Sequence, residues 1–329
     1  MTWLTWRQYR LQAAIGGAFL AALAALLLVT GLGVAAQWHS ALAACGASGT
    51  CGSLSGTLSL GNHAVGFLVV MTLGVPAVLG MLLGAPLVAY EAESSARVFA
   101  WTQGVTRRRW LAVKAGWVLL AAAVTGGVVS ALVTWWEGPN NALLGDAFSS
   151  SRFELMGVVP VGYAVFAVAL GIAAGTLVRR VVPAIGITLV GFVAVRLVVD
   201  LWVRPHFMSA VTHLYALTST WAPGGSAWQL ASGVVTPSGT RLAMVDGTDI
   251  APNVSSSWVP QACGGGAVGG RGSQSAVLSC MQSAGYRQFI TYQPGNRYWP
   301  FQWIELGIFV ALAAALIAVT FAVINRRDA

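Results

Sequence analysis

Six apolar runs, each long enough to cross a lipid bilayer, constrain this chain more than any other feature of its sequence. They extend approximately from Ala13 to Ala36, Ala64 to Tyr90, Leu111 to Trp135, Leu155 to Val178, Val181 to Val203 and Gln302 to Ile324. A hydrocarbon core about 30 Å thick takes roughly 20 helical residues. Inside it every backbone N–H and C=O must be paired within its own segment, so these runs are expected as helices. Only 9% of the residues are charged and 57% are hydrophobic, a balance that excludes an ordinary soluble domain. The first run is too long for a signal peptide, and no small-residue cleavage site follows it.

Basic residues set the expected orientation. Arg7 and Arg10 precede the first run; Arg97, Arg107, Arg108, Arg109 and Lys114 lie between the second and third or at the start of the third; Arg179 and Arg180 follow the fourth; Arg326 and Arg327 follow the sixth. These four short segments alternate as cytoplasmic segments should, which puts both termini in the cytoplasm. The remaining loop arginines (Arg152, Arg204, Arg241, Arg271, Arg287 and Arg297) are spread over longer stretches on the other side. The net charge of +8 is mostly this orientation signal and does not call for nucleic acid. All four cysteines, Cys45, Cys51, Cys263 and Cys280, fall on the outer side. An even count on an oxidising face points to disulfides, and of three connectivities the simplest pairs neighbours. Neither pair has the histidine or cysteine company of a zinc site.

The expected fold is an all-α membrane protein of six transmembrane helices. Residues 1–12 read as an interfacial amphipathic helix, with Trp3, Trp6 and Arg10 at helical spacing and Arg7 alongside. Residues 13–203 hold the first five spans, with a cytoplasmic segment at 91–110. Residues 204–301 form an irregular, disulfide-pinned extracellular cap, and 302–329 the last span and tail. Within the cap, the stretch from Pro205 to Trp221 reads as a helix returning to the membrane surface. The stretch from Val254 to Gly265 and the region of Cys280 read as short strands. The second span carries Pro76 and Pro86 among Gly74, Gly80 and Gly84, a kinked and small-faced helix suited to a part that moves.

Chemistry is sparse. A phosphate-binding loop needs GxxxxGK[ST], and the single lysine, Lys114, lies in WLAVKAGW, so ATP cannot be held by a P-loop of this chain. HExxH and GxSxG are absent, and His39, His63, His206 and His213 are scattered. Catalysis by this chain, a metal and a resident cofactor are therefore not expected. Arg196 and Asp200, four apart near the outer end of the fifth run, form an intramembrane polar pair, either a structural ion pair or a gate latch. Glu137, Asp146 and Glu154 are weaker candidates. The segment from Glu91 to Trp110, EAESSARVFAWTQGVTRRRW, opens with Glu91 and Glu93 and closes with Arg107, Arg108 and Arg109. Phe99 and Trp101 between them supply apolar contacts. Such an element is suited to inserting into a groove on a soluble partner, its charged ends fixing register, or to lying on the membrane surface.

The stretches TWRQYR (5–10), EAESSARVFAWTQGVTRRRWLAVK (91–114), VPVGYAVFAVALGIAAGTLVRRVVPAIGITLVGFVAVRL (159–197) and YQPGNRYWPFQWIE (292–305) resemble permease subunits of type-2 ABC exporters, in particular a group common in high-GC actinobacteria. The resemblance implies a bacterial plasma-membrane permease that works with a second copy or paralogue and with a separate ABC ATPase, which binds the ATP and Mg. It implies ATPase-coupling contacts at Trp6, Arg7 and Arg10, at Glu91, Glu93, Phe99, Trp101, Arg107, Arg108 and Arg109, and at the short turn with Arg179 and Arg180. It also implies a cap with disulfides before the last span. The spans hold few polar groups, so a hydrophobic or amphipathic cargo moved outward is expected. The competing readings are a non-transporting sensor or immunity subunit, an autonomous ion-coupled carrier, and a membrane enzyme.

Overall fold

In a computed structural model, the described residues are 14–33, 35–36, 40, 62–93, 107–138, 148, 150–219, 223–224, 226–244, 260, 263 and 271–326. The helices are α1 (Ala14–Gly33), α2 (Asn62–Leu79), α3 (Ala85–Glu93), α4 (Arg107–Trp136), α5 (Ser150–Leu155), α6 (Val159–Val178), α7 (Val181–Val198), α8 (Arg271–Ser283) and α9 (Tyr298–Arg326). Six helical stretches are long and apolar enough to cross a membrane: Ala14–Gly33, Gly66–Tyr90, Leu111–Trp136, Val159–Val178, Val181–His206 and Gly295–Arg326. The chain is thus a multi-pass membrane protein. It divides into one unit of Met1–Leu143, Ser150–Trp202 and Pro300–Ala329, and another of Leu144–Ser149 and Val203–Trp299.

The first unit is built around α6. Buried residues make up 72% of its span, against 17% for the spans of α1, α7 and α9. A helix apolar all round belongs in such a central place. Its small residues let the second span approach to backbone contact. A Cβ added at Gly171 would stand 2.4 Å from the Gly80 carbonyl oxygen, and one at Gly175 2.4 Å from that of Ala85. The reciprocal positions Gly80 and Gly84 would meet the carbonyl oxygens of Ala167 and Val168 at 2.5 Å. Apolar attraction is weak between helices already in lipid, so close approach of small residues is a main source of cohesion there. The second span is irregular where it makes this contact. Pro76 lies inside α2, and a five-residue π turn, Gly80–Gly84, joins α2 to α3 with the Ala85 N–H bonded to the Gly80 carbonyl. On the other faces of α6, Gly126 of α4 approaches the Pro160 carbonyl, and Phe309 of α9 packs edge-on against Tyr163 at 4.7 Å. Trp136 Nε1 donates to Thr30 Oγ1 at 3.0 Å, tying α4 to α1. The outer spans turn side chains such as Trp117, Val124, Val190 and Leu201 outward, as helices facing lipid or another chain do.

The second unit departs from an all-α fold. It holds a four-stranded antiparallel sheet of order β1-β4-β2-β3, formed by Val211–Tyr215 (β1), Trp228–Val235 (β2), Arg241–Met244 (β3) and Arg287–Gln293 (β4). The expected helix in 205–221 is corrected: Val211–Tyr215 is a strand, pairing with β4 from Val211 opposite Tyr292 to Tyr215 opposite Gln288. Its β-branched and aromatic residues suit a pleated surface. The region of Cys280 is corrected in the opposite direction, since Cys280 lies on α8. That helix sets Met281 against Leu217 and Val234, with Cys263, Val277, Leu278 and Tyr286 around them. The Cys263–Cys280 disulfide is present, as neighbour pairing requires. Most of 254–265, like Cys45, Cys51 and the interfacial segment with Trp6, Arg7 and Arg10, lies outside the described residues.

Two outcomes follow from this packing. Gly171→Ala should lower the stability of the purified protein by about 1–3 kcal/mol, because backbone rather than a flexible side chain blocks the added methyl; thermal unfolding in detergent measures it. Replacing both Cys263 and Cys280 with Ser opens a loop with a sequence separation of 17. It should cost the sheet unit about 3 kcal/mol, seen as faster limited proteolysis of that unit alone.

Candidate functional site

The residue that needs most explanation inside the membrane unit is Arg196, a guanidinium on α7 within an apolar span. An arginine costs about 3 kcal/mol at the centre of a span on insertion scales, less towards its end, and more if it stays unpaired. Here it is surrounded. Arg196 Nη2 donates to Glu154 Oε2 of α5 in an ion pair, with the two side chains 13% and 9% exposed. Nη1 donates to the Leu73 carbonyl of α2 at 3.1 Å. The guanidinium carbon lies 4.8 Å from the centre of the Tyr163 ring, within cation–π range.

The carbonyl of Leu73 lies just before Pro76. Proline has no N–H, so the Thr72 carbonyl loses its usual helical donor. Thr72, Leu73 and Pro76 line a cavity of about 20 Å³ together with Glu154, Tyr163 and Arg196, enough room for about one water. Arg196 therefore supplies a donor beside the weak point of the second span.

A second group of polar contacts surrounds the start of α6. The chain breaks between α5 and α6, where Gly157 takes φ +76° and Val158, the residue before α6, offers no side-chain cap. The first N–H groups of any helix lack helical partners. Gln302, fully buried on α9, provides them: its Oε1 accepts from the N–H of both Val158 and Val159 at 3.0 Å. Its Nε2 donates to the Phe153 carbonyl of α5 at 2.9 Å. One turn along the same face, the fully buried Glu305 accepts the Tyr163 hydroxyl. Ser130 Oγ of α4 donates to the Gly157 carbonyl at 2.6 Å. Arg152, also on α5, lies 3.3 Å from Glu137, just beyond the end of α4. Short α5 is thereby tied to α4 by Arg152, to α7 by Glu154 and to α9 through Phe153.

Sequence spacing singled out Arg196 but paired it with Asp200, which stands in the following π turn, Val199–Val203, and is half-buried. The partner the structure brings to Arg196 from another helix is Glu154, a weaker candidate by sequence. Gln302 and Glu305 were given no role. Their spacing of three on an apolar helix was the available signal, since it puts two polar groups on one face.

At the opposite end of α2–α3, α6 and α7 lie the basic and acidic residues expected to meet an ATPase. Glu93, the last residue of α3, is exposed, and its Oε1 accepts the Val181 N–H at 3.0 Å. Arg179 and Arg180 are exposed in the turn between α6 and α7, and Arg109 is exposed near the start of α4. Arg179 adopts φ +57° and its N–H closes α6 on the Gly175 carbonyl. Phe99 and Trp101 lie outside the described residues. Glu91, Arg107 and Arg108 are helical, and only their backbone is described.

Removing Arg196 alone would take the ion-pair partner from a buried carboxylate. Arg196→Met should cost about 3–5 kcal/mol in thermal or denaturant unfolding, and Arg196→Met combined with Glu154→Leu should recover most of it. Additive losses would mean that the pair does not interact in the folded protein.

Neither the curated proteins nor the solved structures contain a match to this chain. A family profile described as "ABC-2 membrane transporter related" matches residues 17–204, which take in the first five spans and both polar clusters except for Gln302 and Glu305. With that match covering more than half of its length, the chain belongs to the ABC-2 membrane transporter-related family, as a permease-type membrane protein.

Proposed function

We propose that this chain is the membrane-spanning permease subunit of an ATP-driven exporter in the bacterial plasma membrane, with both termini in the cytoplasm. It couples to a separate cytoplasmic ABC ATPase subunit, which binds ATP and Mg and performs the hydrolysis, while this chain has no catalytic role. The observation that carries the reading is the convergence of Glu93 on the start of α7 in a chain with this family match. That contact joins the second span to the turn holding Arg179 and Arg180, the two inner segments that an ATPase would grip.

A second copy or a paralogue covers the apolar faces that this chain leaves open on its second and fifth spans, where Phe67, Val70, Ile187, Val190 and Leu197 are exposed. The passage between two such faces would be lined by apolar groups. The matching cargo is a hydrophobic or amphipathic molecule, moved outward. Nucleotide-driven closure of the ATPases biases a bistable packing of the spans. Pro76 and the π turn at Gly80–Gly84 are where the second span can change shape. The Arg196–Glu154 pair, with its bond to the Leu73 carbonyl, acts as the latch at the outer end.

Replacing Arg107, Arg108 and Arg109 together with Ala should leave membrane insertion intact. It should reduce co-purification of the partner ABC ATPase by about tenfold or more, as expected when charge pairs that fix a docking register are lost. Unchanged association and unchanged ATP turnover would reject the docking assignment.

A further inference from the structure

Sequence placed Glu93 among the residues that meet the ATPase. The geometry points instead to Glu93 as a positioning residue that clasps the second span to the start of the fifth, so that both inner contact segments move as one body. This inference rests on the exporter reading for its functional half and on this chain alone for the clasp.

The start of α7 needs a cap and has none of its own. Arg180, the residue before it, is extended (φ −128°, ψ 133°) and makes no side-chain cap bond. Pro183 in the first turn has no N–H, and the Ala184 N–H is bonded to the Arg180 carbonyl. The Val181 N–H is one of the orphan donors of that turn. It is taken by Glu93 Oε1, 88 residues earlier in sequence. A carboxylate is the favoured group there, because it meets both the free N–H and the positive end of the helix dipole.

Beneath the clasp the three helices have no slack. Ala85 of α3, Ala174 of α6 and Ala184 of α7 form one buried cluster, with Ile185 packed against it. Gly175 admits the Ala85 carbonyl so closely that even a methyl would collide. The turn above is held by the left-handed Arg179, whose N–H is already committed to α6. A displacement of the chain at Glu93 is therefore delivered to the first turn of α7 through one hydrogen bond and one rigid cluster. Arg179 and Arg180 remain exposed beside it and present their charges outward.

The test compares Glu93→Ala, Glu93→Gln and the triple arginine variant in the full-length protein in nanodiscs, alone and with the partner ABC ATPase. In the protein alone, amide exchange at Val181 should rise about fivefold in Glu93→Ala, the factor expected for loss of an N-cap. It should stay near wild type in Glu93→Gln, which keeps an acceptor oxygen. With the ATPase, Glu93→Ala should retain wild-type association, unlike the triple variant. It should lose the exchange change that ATP with vanadate produces in residues 181–185 of the wild type. Unchanged exchange at Val181 overturns the clasp. Association lost as severely as in the triple variant returns Glu93 to the docking surface and overturns the positioning role, as does a nucleotide response identical to wild type. If wild type itself recovers no ATPase, the exporter reading falls and the coupling role with it, while exchange in the protein alone still decides the clasp.

Discussion

A single guanidinium inside an apolar bundle determines much of the arrangement around it. Arg196 cannot face lipid cheaply, so the helices near it must supply an anion, a carbonyl and an aromatic face, and they come from α5, α2 and α6 respectively. To bring Glu154 within reach, the chain must be broken ahead of α6 so that α5 can lie where a continuous span would have left no carboxylate. That break exposes the first donors of α6, and Gln302 is required to satisfy them. The polar residues of this unit are therefore consequences of one another. Removing any one takes a hydrogen-bond or ion-pair partner from another buried group, which in a low-dielectric interior is costly.

Packing around α6 works by a different principle. The contacts between Gly171 and Gly80, and between Gly175 and Ala85, bring backbone against backbone, and cohesion there depends on the absence of side chains. The two principles divide the second span between them. Its C-terminal part, α3 with the π turn, is locked to α6 by small residues. Its N-terminal part, α2, is held by a hydrogen bond from Arg196 beside a proline. The first attachment is a fitted backbone surface, whereas the second consists of discrete bonds from one side chain.

Much of the membrane fold was legible in residues alone. Hydropathy located five spans to within about four residues and the sixth with its start seven residues late, because length and lack of charge leave little else for such runs to become. Hydropathy does not say which span is central. All six are predominantly apolar, and the distinction of α6 lies in where Gly162, Gly171 and Gly175 meet other helices, which is a property of pairs of segments. Arg196 stood out by charge, but its partner Glu154 lies 42 residues away, and nearest-neighbour spacing favoured Asp200. The break before α6 carried a local signal in Gly157 and Pro160 that the apolar run concealed. In the second unit, the many glycines and serines of 204–301 favour an irregular reading. The alternating β-branched and aromatic residues of VTHLY and RQFITYQ, which pair as β1 and β4, were the better guide.

The attachments of the second and fifth spans constrain how this unit can change shape. They are joined at one end by the Glu93 carboxylate on Val181 and at the other by Arg196 on Leu73. Between Val181 and Arg196 the fifth span is an uninterrupted helix, and its π turn begins only beyond that point, at Val199. Between Leu73 and Glu93 the second span contains both Pro76 and the π turn at Gly80–Gly84. Two rods pinned at both ends cannot slide past one another without breaking a pin, and the stiffer one will not supply the bend. A displacement entering at the Glu93 end must either flex the second span at Pro76 and the π turn or release Arg196 from Leu73 and Glu154. The π turn is pressed against α6 by Gly80 and Gly84, leaving the region of Pro76 as the freer joint. That joint lies beside the small cavity and within reach of the arginine. Flexing there leaves both pins in place, whereas the other route must break the contacts of Arg196 with Leu73 and Glu154.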